Sequence, residues 1–158
     1  MNELVDKDAC DLLDADHIAV KHLFVEYARL AMAAPADSAA ERQALAQKIC
    51  AELTVHAQIE EEIFYPALRE VIDEPERLDQ AQEEHQEARE LIAQIEGLAA
   101  ADETMDDLVT LLAREIEQHV KEERDHLFPK ARAAQSLDLD ALGAQLKERQ
   151  QELQGQAA

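Results

Sequence analysis

The chain has no tryptophan, only 3 glycines, 4 prolines and 2 cysteines in 158 residues, and aromatic side chains make up 3% of it. So little glycine leaves no phosphate-cradling loop of the nucleotide-binding kind. So few aromatics leave no stacking platform for bases. Positive charge is short as well: 15 Lys and Arg stand against 36 Asp and Glu, a formal net charge of −21 with a pI near 4.4. Such a surface repels nucleic acid and anionic lipid and attracts cations, so neither nucleic acid nor membrane is expected as a partner. No apolar run approaches the ~18 residues of a membrane span. The opening stretch, MNELVDKDACDLLDADH, is acidic and lacks an apolar signal segment, which points to the cytoplasm. Cys10 and Cys50 read as reduced, partly buried thiols in that compartment, with a disulfide as the alternative.

Apolar residues make up 47% of the chain, enough for one packed core, and Ala, Leu, Glu and Gln, all good helix formers, dominate. Loop signals fall at 33–38, 72–75 and 96–104. They leave four long helical segments at 5–33, 38–71, 75–98 and 104–133, with Pro75 suited to a first helical turn and Thr104 near a helix start. A fifth segment at 138–153 is amphipathic, and Gly155 to Ala158 read as a frayed tail. The expected fold class is all-α. Residues 1–135 form an up-down-up-down antiparallel four-helix bundle, and residues 136–158 supply a short extra helix that caps one end.

Function must come from polar residues that interrupt the apolar stripes, because burying them is costly unless they are paired or bind something. His17 lies between Leu13 and Val20, His56 between Leu53 and Ile59, and His119 between Ile116 and Leu127. The sequence also repeats itself. His56 is followed by Glu60 and Tyr65-Pro66, and His119 by Glu123 and Phe128-Pro129, in the same register. Each repeat is preceded by an acid-histidine pair, Asp16-His17 in one half and Glu84-His85 in the other. Residues i and i+4 share a helix face, so each repeat presents an imidazole with a carboxylate. In a bundle, the four helices converge His17, His56, Glu60, His85, His119 and Glu123 on one interior point. Six ligands are too many for a tetrahedral structural zinc. N/O ligation without thiolate suits a pair of carboxylate-bridged ions, iron first and manganese second. For any one of these histidines alone, the alternative is a hydrogen-bonded core residue.

These marks resemble the hemerythrin-like family, the HHE cation-binding domains: Asp16-His17 with Val20 to Phe24, His56 with Glu60-Glu61 and Tyr65-Pro66, Glu84-His85, and His119 with Glu122-Glu123 and Phe128-Pro129. The resemblance runs over roughly 8–133. It implies a four-helix bundle with two Fe ions bridged by an oxo or hydroxo group and two carboxylates. His17 and His56 would hold one iron, His85 and His119 the other, and Glu60 and Glu123 would bridge. Oxygen-carrying members place a further histidine where this chain has Arg89, and set the last carboxylate five residues after its histidine rather than four. The four-His, two-Glu set is also similar to bacterial iron-centre-repair proteins. Those carry a cysteine-bearing segment for which there is no room ahead of Asp16.

A missing ligand leaves an open position and favours small-ligand or redox chemistry over storage. The expected partner is therefore a small diatomic ligand (O2 or NO) or peroxide, and a homodimer is compatible with this reading. The rival readings are a di-iron redox enzyme, an iron-donor or repair-like protein, and a metal-free acidic interaction protein. Of the remaining residues, His22 is read as surface. His126, three after Glu123, is a candidate second partner or substitute ligand. Tyr27 and Tyr65 are read as core packing, with a place lining the pocket as the alternative, and Glu61, Glu62 and Glu122 as solvated, with an auxiliary-ligand role as the alternative. Asp16 and Glu84 are expected to point away from the histidines beside them. Pro66 and Pro129 should end or kink their helices.

Overall fold

A computed structural model describes residues 7–157, and all regular structure in that range is helical. Helix α1 spans Ala9–Ala33 and α2 spans Ala39–Ile59; a π-helical turn, Glu60–Phe64, joins α2 without a break to α3, Tyr65–Val71. Helix α4 spans Pro75–Glu96 and α5 Glu103–Glu122. A second π-turn, Glu123–Leu127, leads into α6, Phe128–Ala133, and α7 spans Leu139–Ala157. The four segments expected from sequence are thus present, with residues 5 and 6 of the first lying outside the described range.

Local chemistry sets the boundaries. Asp8 and Asp11 cap α1 reciprocally: the Asp8 carboxylate accepts from the Asp11 N–H at 2.8 Å, and Asp11 accepts from the Asp8 N–H at 3.4 Å. These bonds satisfy two amides that a helix start leaves orphaned. Pro75 occupies the first turn of α4, where no donor is missed. Helix α5 starts one residue ahead of Thr104, capped by Asp102, whose carboxylate accepts from the Met105 N–H at 3.1 Å.

Pro66 and Pro129 do not end the helices. Each follows a five-residue π-turn in which the chain closes i→i+5 bonds, Tyr65 N–H to the Glu60 carbonyl and Phe128 N–H to the Glu123 carbonyl. The wider turn absorbs the amide that proline lacks and lets the helix run on.

Helices α1, α2, α4 and α5 form the ring of the bundle. Contacts run α1–α2, α2–α4, α4–α5 and α5–α1, so α1 lies diagonal to α4 and α2 to α5. Two apolar clusters fill the interior. One gathers Leu13, Ile59, Phe64, Leu68, Leu127 and Leu146 at the end holding the π-turns. The other gathers Val20, Ile49, Leu53, Ile92, Met105 and Leu112 at the end of the α1–α2 and α4–α5 loops. Each fully buried large aliphatic contributes on the order of 1.5–3 kcal/mol. A polar layer separates the clusters.

Helix α7 does not cap an end of the bundle. Gly143 packs on Asp8 and Gln150 bonds to Asp16, so α7 lies along α1 and parallel to it, with Leu142, Leu146 and Leu153 turned inward. Its helix runs through Gly155 to Ala157, and Ala158, the last residue of the tail expected to fray, lies outside the described residues.

Candidate metal centre

The layer between the clusters is built from the six residues singled out in the sequence. His17, His56, His85, His119, Glu60 and Glu123 are all buried, the two carboxylates completely. Their positions follow from helix geometry. Each histidine lies on the inner stripe of its own ring helix. Each glutamate is one turn past a histidine, at the junction where the α-helix widens into the π-turn.

The facing atoms are close. His17 Nε2 and His56 Nε2 are 3.2 Å apart, and so are His85 Nε2 and His119 Nε2. Glu60 Oε1 lies 3.3 Å from His56 Nε2 and 3.0 Å from His85 Nε2, and therefore touches both pairs. Glu123 does the same with its two oxygens, Oε1 at 3.0 Å from His17 Nε2 and Oε2 at 3.6 Å from His119 Nε2. Two groups of ligand atoms result: His17, His56, Glu60 and Glu123, and Glu60, His85 and His119. Within each group the atoms lie within 4.8 Å of one another.

Each ring is held from behind by a carboxylate at Nδ1. His17 faces Asp14 at 3.2 Å, His56 faces Asp16 at 3.0 Å, His85 faces Glu61 at 2.7 Å, and His119 faces Glu84 at 2.7 Å. These contacts fix the tautomer: Nδ1–H donates to the carboxylate and the Nε2 lone pair points inward. Asp16 and Glu84 do point away from the histidines beside them, as expected, but onto the histidine of the next helix. Glu61 is not a solvated bystander, since its carboxylate takes both His85 and the Arg89 guanidinium, the latter at 2.7 Å. Glu62 pairs instead with Arg149 at 2.8 Å, and Glu122 with Arg77. His22 is exposed. His126 is also turned to solvent, 3.9 Å from Glu122, and takes no part in the centre.

Tyr65 is not plain packing: it is fully buried and its Oη lies 2.9 Å from Glu123 Oε2, 3.2 Å from Glu60 Oε1 and 3.3 Å from His119 Nε2. The available signal was the duplicated aromatic-Pro register, which sets Tyr65 five residues after Glu60, the spacing a π-turn closes. Tyr27 is buried, but its hydroxyl donates to Asp106 at 2.7 Å, away from the centre. Asp14 supports His17 from three residues earlier on the same helix, a local spacing that acidic residues share with many positions in this chain. Cys10 and Cys50 are free and buried.

The electrostatics are those of a site that demands positive charge. Burial resists ionisation of Glu60, but the His56 imidazole and further hydrogen bonds hold its carboxyl well below the usual range. Burial also resists charging His56, yet Glu60 and Asp16 push it up to about 10. His119 is raised in the same way, chiefly by Glu123 acting against burial. Tyr65 is raised well above a normal phenol by burial first, then by Glu123 and Glu60. Glu60 Oε2 and Glu123 Oε1 are buried and receive no hydrogen bond, an arrangement that costs about 1–3 kcal/mol per group. Four inward lone pairs and two buried anions with orphaned oxygens are what cations of N/O preference would satisfy, so the residues fit a metal group.

On the loop side of this layer lies a cavity of about 20 Å³, lined by the four imidazoles, by Val20, Leu53, Ala88, Ile92, Ile116 and Val120, and by Asp16, Thr54 and Arg89. The opposite side is shut by Phe64, Tyr65 and Phe128.

A four-helix bundle with histidines and glutamates projecting inward from all four helices defines a class of protein: helical bundles that hold cations in their core. Within that class the chain belongs to the Hemerythrin HHE cation binding domain family, whose description it matches over residues 8–131. Among solved structures it is similar to a Hemerythrin HHE cation binding domain-containing protein from Mycobacterium kansasii. The TM-score is 0.78 at 24% identity, covering 96% of this chain and 90% of that one. It is also 28% identical over 123 residues to a DNA nickase of a Nostoc species, covering 78% of this chain and 33% of that protein. This chain thus spans about a third of that relative's length. No described helix is long and apolar enough to cross a membrane.

Proposed function

We propose that the chain is a non-haem di-iron protein whose centre binds or reacts with a small ligand such as O2, NO or peroxide. The observation that carries this reading is the paired donor set: two groups of ligand atoms, one on each pair of histidines, sharing Glu60. In this reading His17 and His56 hold one iron, His85 and His119 the other, and Glu60 and Glu123 contribute to both. Oxygen and nitrogen donors without thiolate favour iron, with manganese second. When bound, iron supplies redox capacity and positions for a small ligand.

The chain's own residues do the rest. Asp14, Asp16, Glu61 and Glu84 hold the four imidazoles in one tautomer and raise their basicity. Val20, Leu53, Ile92 and Ile116 give an apolar wall to the small cavity beside the four imidazoles, which has room for a ligand of a few atoms at most. An uncharged diatomic crosses such a wall without a desolvation cost that an ion would meet. The two thiols left free accord with a cytoplasmic setting. Residues 1–135 are the metal-holding unit in this reading, with 136–158 an addition to it. A nickase activity has no place in it, because a net charge of −21 repels a phosphate backbone.

The test is metal analysis of protein purified without chelator, followed by spectra before and after NO under anaerobic conditions. Two irons per chain and a spectrum altered by NO are expected. Less than one iron per chain after anaerobic reconstitution would refute the proposal. Iron transfer to an apo iron–sulfur acceptor would instead favour an iron-donor role.

A further inference from the structure

The two halves of the centre are not equivalent, and the difference lies in one atom. Both π-turns use the same device. The i→i+5 bond ties the aromatic at position i+5 to the glutamate at position i through the backbone, Tyr65 to Glu60 and Phe128 to Glu123. In one half this aromatic is a phenyl. Phe128 lies flat beside His17, with ring centroids 6.0 Å apart and an interplanar angle of 13°, and offers no donor atom. In the other half it is a phenol.

The Tyr65 hydroxyl is aimed into the centre. Its Oη stands 3.2 Å from Glu60 Oε1, 2.9 Å from Glu123 Oε2, 3.3 Å from His119 Nε2 and 3.5 Å from His85 Nε2. A phenol has one proton to donate, so it can serve only one of these four atoms. The others face its oxygen lone pairs.

The donor groups differ in the matching sense. By mutual distances within 4.8 Å the His17–His56 group counts four residues and the group around His85 and His119 three, since Glu123 stands 3.0 Å from His17 but 3.6 Å from His119. Arg89, one turn after His85, is turned to Glu61 and adds nothing to it. Tyr65 falls on the shorter group, 3.3 and 3.5 Å from its two imidazole nitrogens.

We propose that Tyr65 is itself a metal ligand, its phenolate oxygen completing the Glu60, His85 and His119 group and making the two cation positions chemically unlike. This rests on the metal reading above. Coordination takes the phenolate, so the O–H proton is released to solvent as the cation enters. A hard anionic oxygen would suit a hard cation such as Fe(III) at this position.

The chain has only two tyrosines, which makes the assignment testable by colour. The full-length protein, Tyr65→Phe and Tyr27→Phe are loaded anaerobically with Fe(II), oxidised in air, and compared by iron content, visible absorption and resonance Raman scattering. Expected are a phenolate-to-Fe(III) charge-transfer band with tyrosinate ring modes in the wild type, its retention in Tyr27→Phe, and its loss in Tyr65→Phe. Phe128 shows that a phenyl is accommodated at the equivalent position of the other turn. If Tyr65→Phe fails to fold, the band in Tyr27→Phe still identifies Tyr65, since no other phenol remains. An iron-loaded wild type without the band, or a Tyr65→Phe protein that keeps it, overturns the proposal and leaves the di-iron reading standing. A chain that holds no iron removes both.

Discussion

Glu60 touches both pairs of histidines, so one substitution there should weaken both metal positions at once. Glu60→Gln keeps the volume and one oxygen but removes the charge, and with it an anionic ligand from each donor group. A cation at about 100 times its dissociation constant stabilises the fold by ~2.7 kcal/mol, so two positions give on the order of 5 kcal/mol. For a domain of about this size 1 kcal/mol moves the melting temperature by roughly 2–4 °C, which predicts a rise of about 10–20 °C on loading. Losing even a supporting residue of a metal site costs 10–100-fold in affinity. At the upper figure the same metal concentration sits near the new dissociation constant, and each position contributes only ~0.4 kcal/mol. The metal-induced rise should therefore fall to about 2–3 °C in Glu60→Gln. Anaerobic calorimetry with Fe(II), and with Mn(II) as a redox-quiet probe, measures both shifts against a chelator-treated reference. Equal shifts in wild type and Glu60→Gln, or none in the wild type, would show that Glu60 does not join two cation positions.

Further outcomes follow from the same geometry. The His56 pKa, pushed up to about 10 in the metal-free chain, exceeds the ~6.5 of an unfolded histidine. Its contribution to metal-free stability is therefore complete below about pH 6.5 and fades as pH rises towards 10. Metal affinity should climb over the same range, because cation and proton compete for one lone pair; opposite pH slopes for metal-free and loaded protein are the check. Glu84→Gln and Asp16→Asn should each weaken metal binding by about 10–100-fold in chelator competition, while leaving far-ultraviolet dichroism unchanged. Burial pushes the Cys10 and Cys50 thiols up to about 12, so at about pH 8 alkylation of the native protein should be slow and should track unfolding. A Cβ at Gly143 would meet the Lys7 carbonyl oxygen at 2.6 Å and the Ala9 nitrogen at 2.9 Å. Gly143→Ala should therefore cost about 1–3 kcal/mol in urea denaturation, as α7 is forced off α1.

The six central residues were legible because helical periodicity is strict. His17, His56 and His119 stood out by interrupting apolar stripes, and the duplicated His-x-x-x-Glu register marked Glu60 and Glu123. The four long segments were readable for the same reason, between loops marked by Pro35, Pro75 and Gly97. What could not be read were relations between helices. That Asp16 supports His56 rather than its own neighbour His17, and Glu84 supports His119, depends on how adjacent helices are rotated about their axes. That α7 lies along α1 rather than over an end depends on Gly143 admitting a close approach to the backbone of Lys7 and Asp8.

Sequence by itself determined an all-helical chain with histidines and glutamates on inward faces, because residues three and four apart must share a side of a helix whatever surrounds them. The tertiary structure alone decided that Pro66 and Pro129 follow widened turns, and that the Tyr65 hydroxyl is aimed at the centre rather than away from it. A one-residue insertion in helical register leaves no mark in local propensity, and its effect exists only where four helices meet.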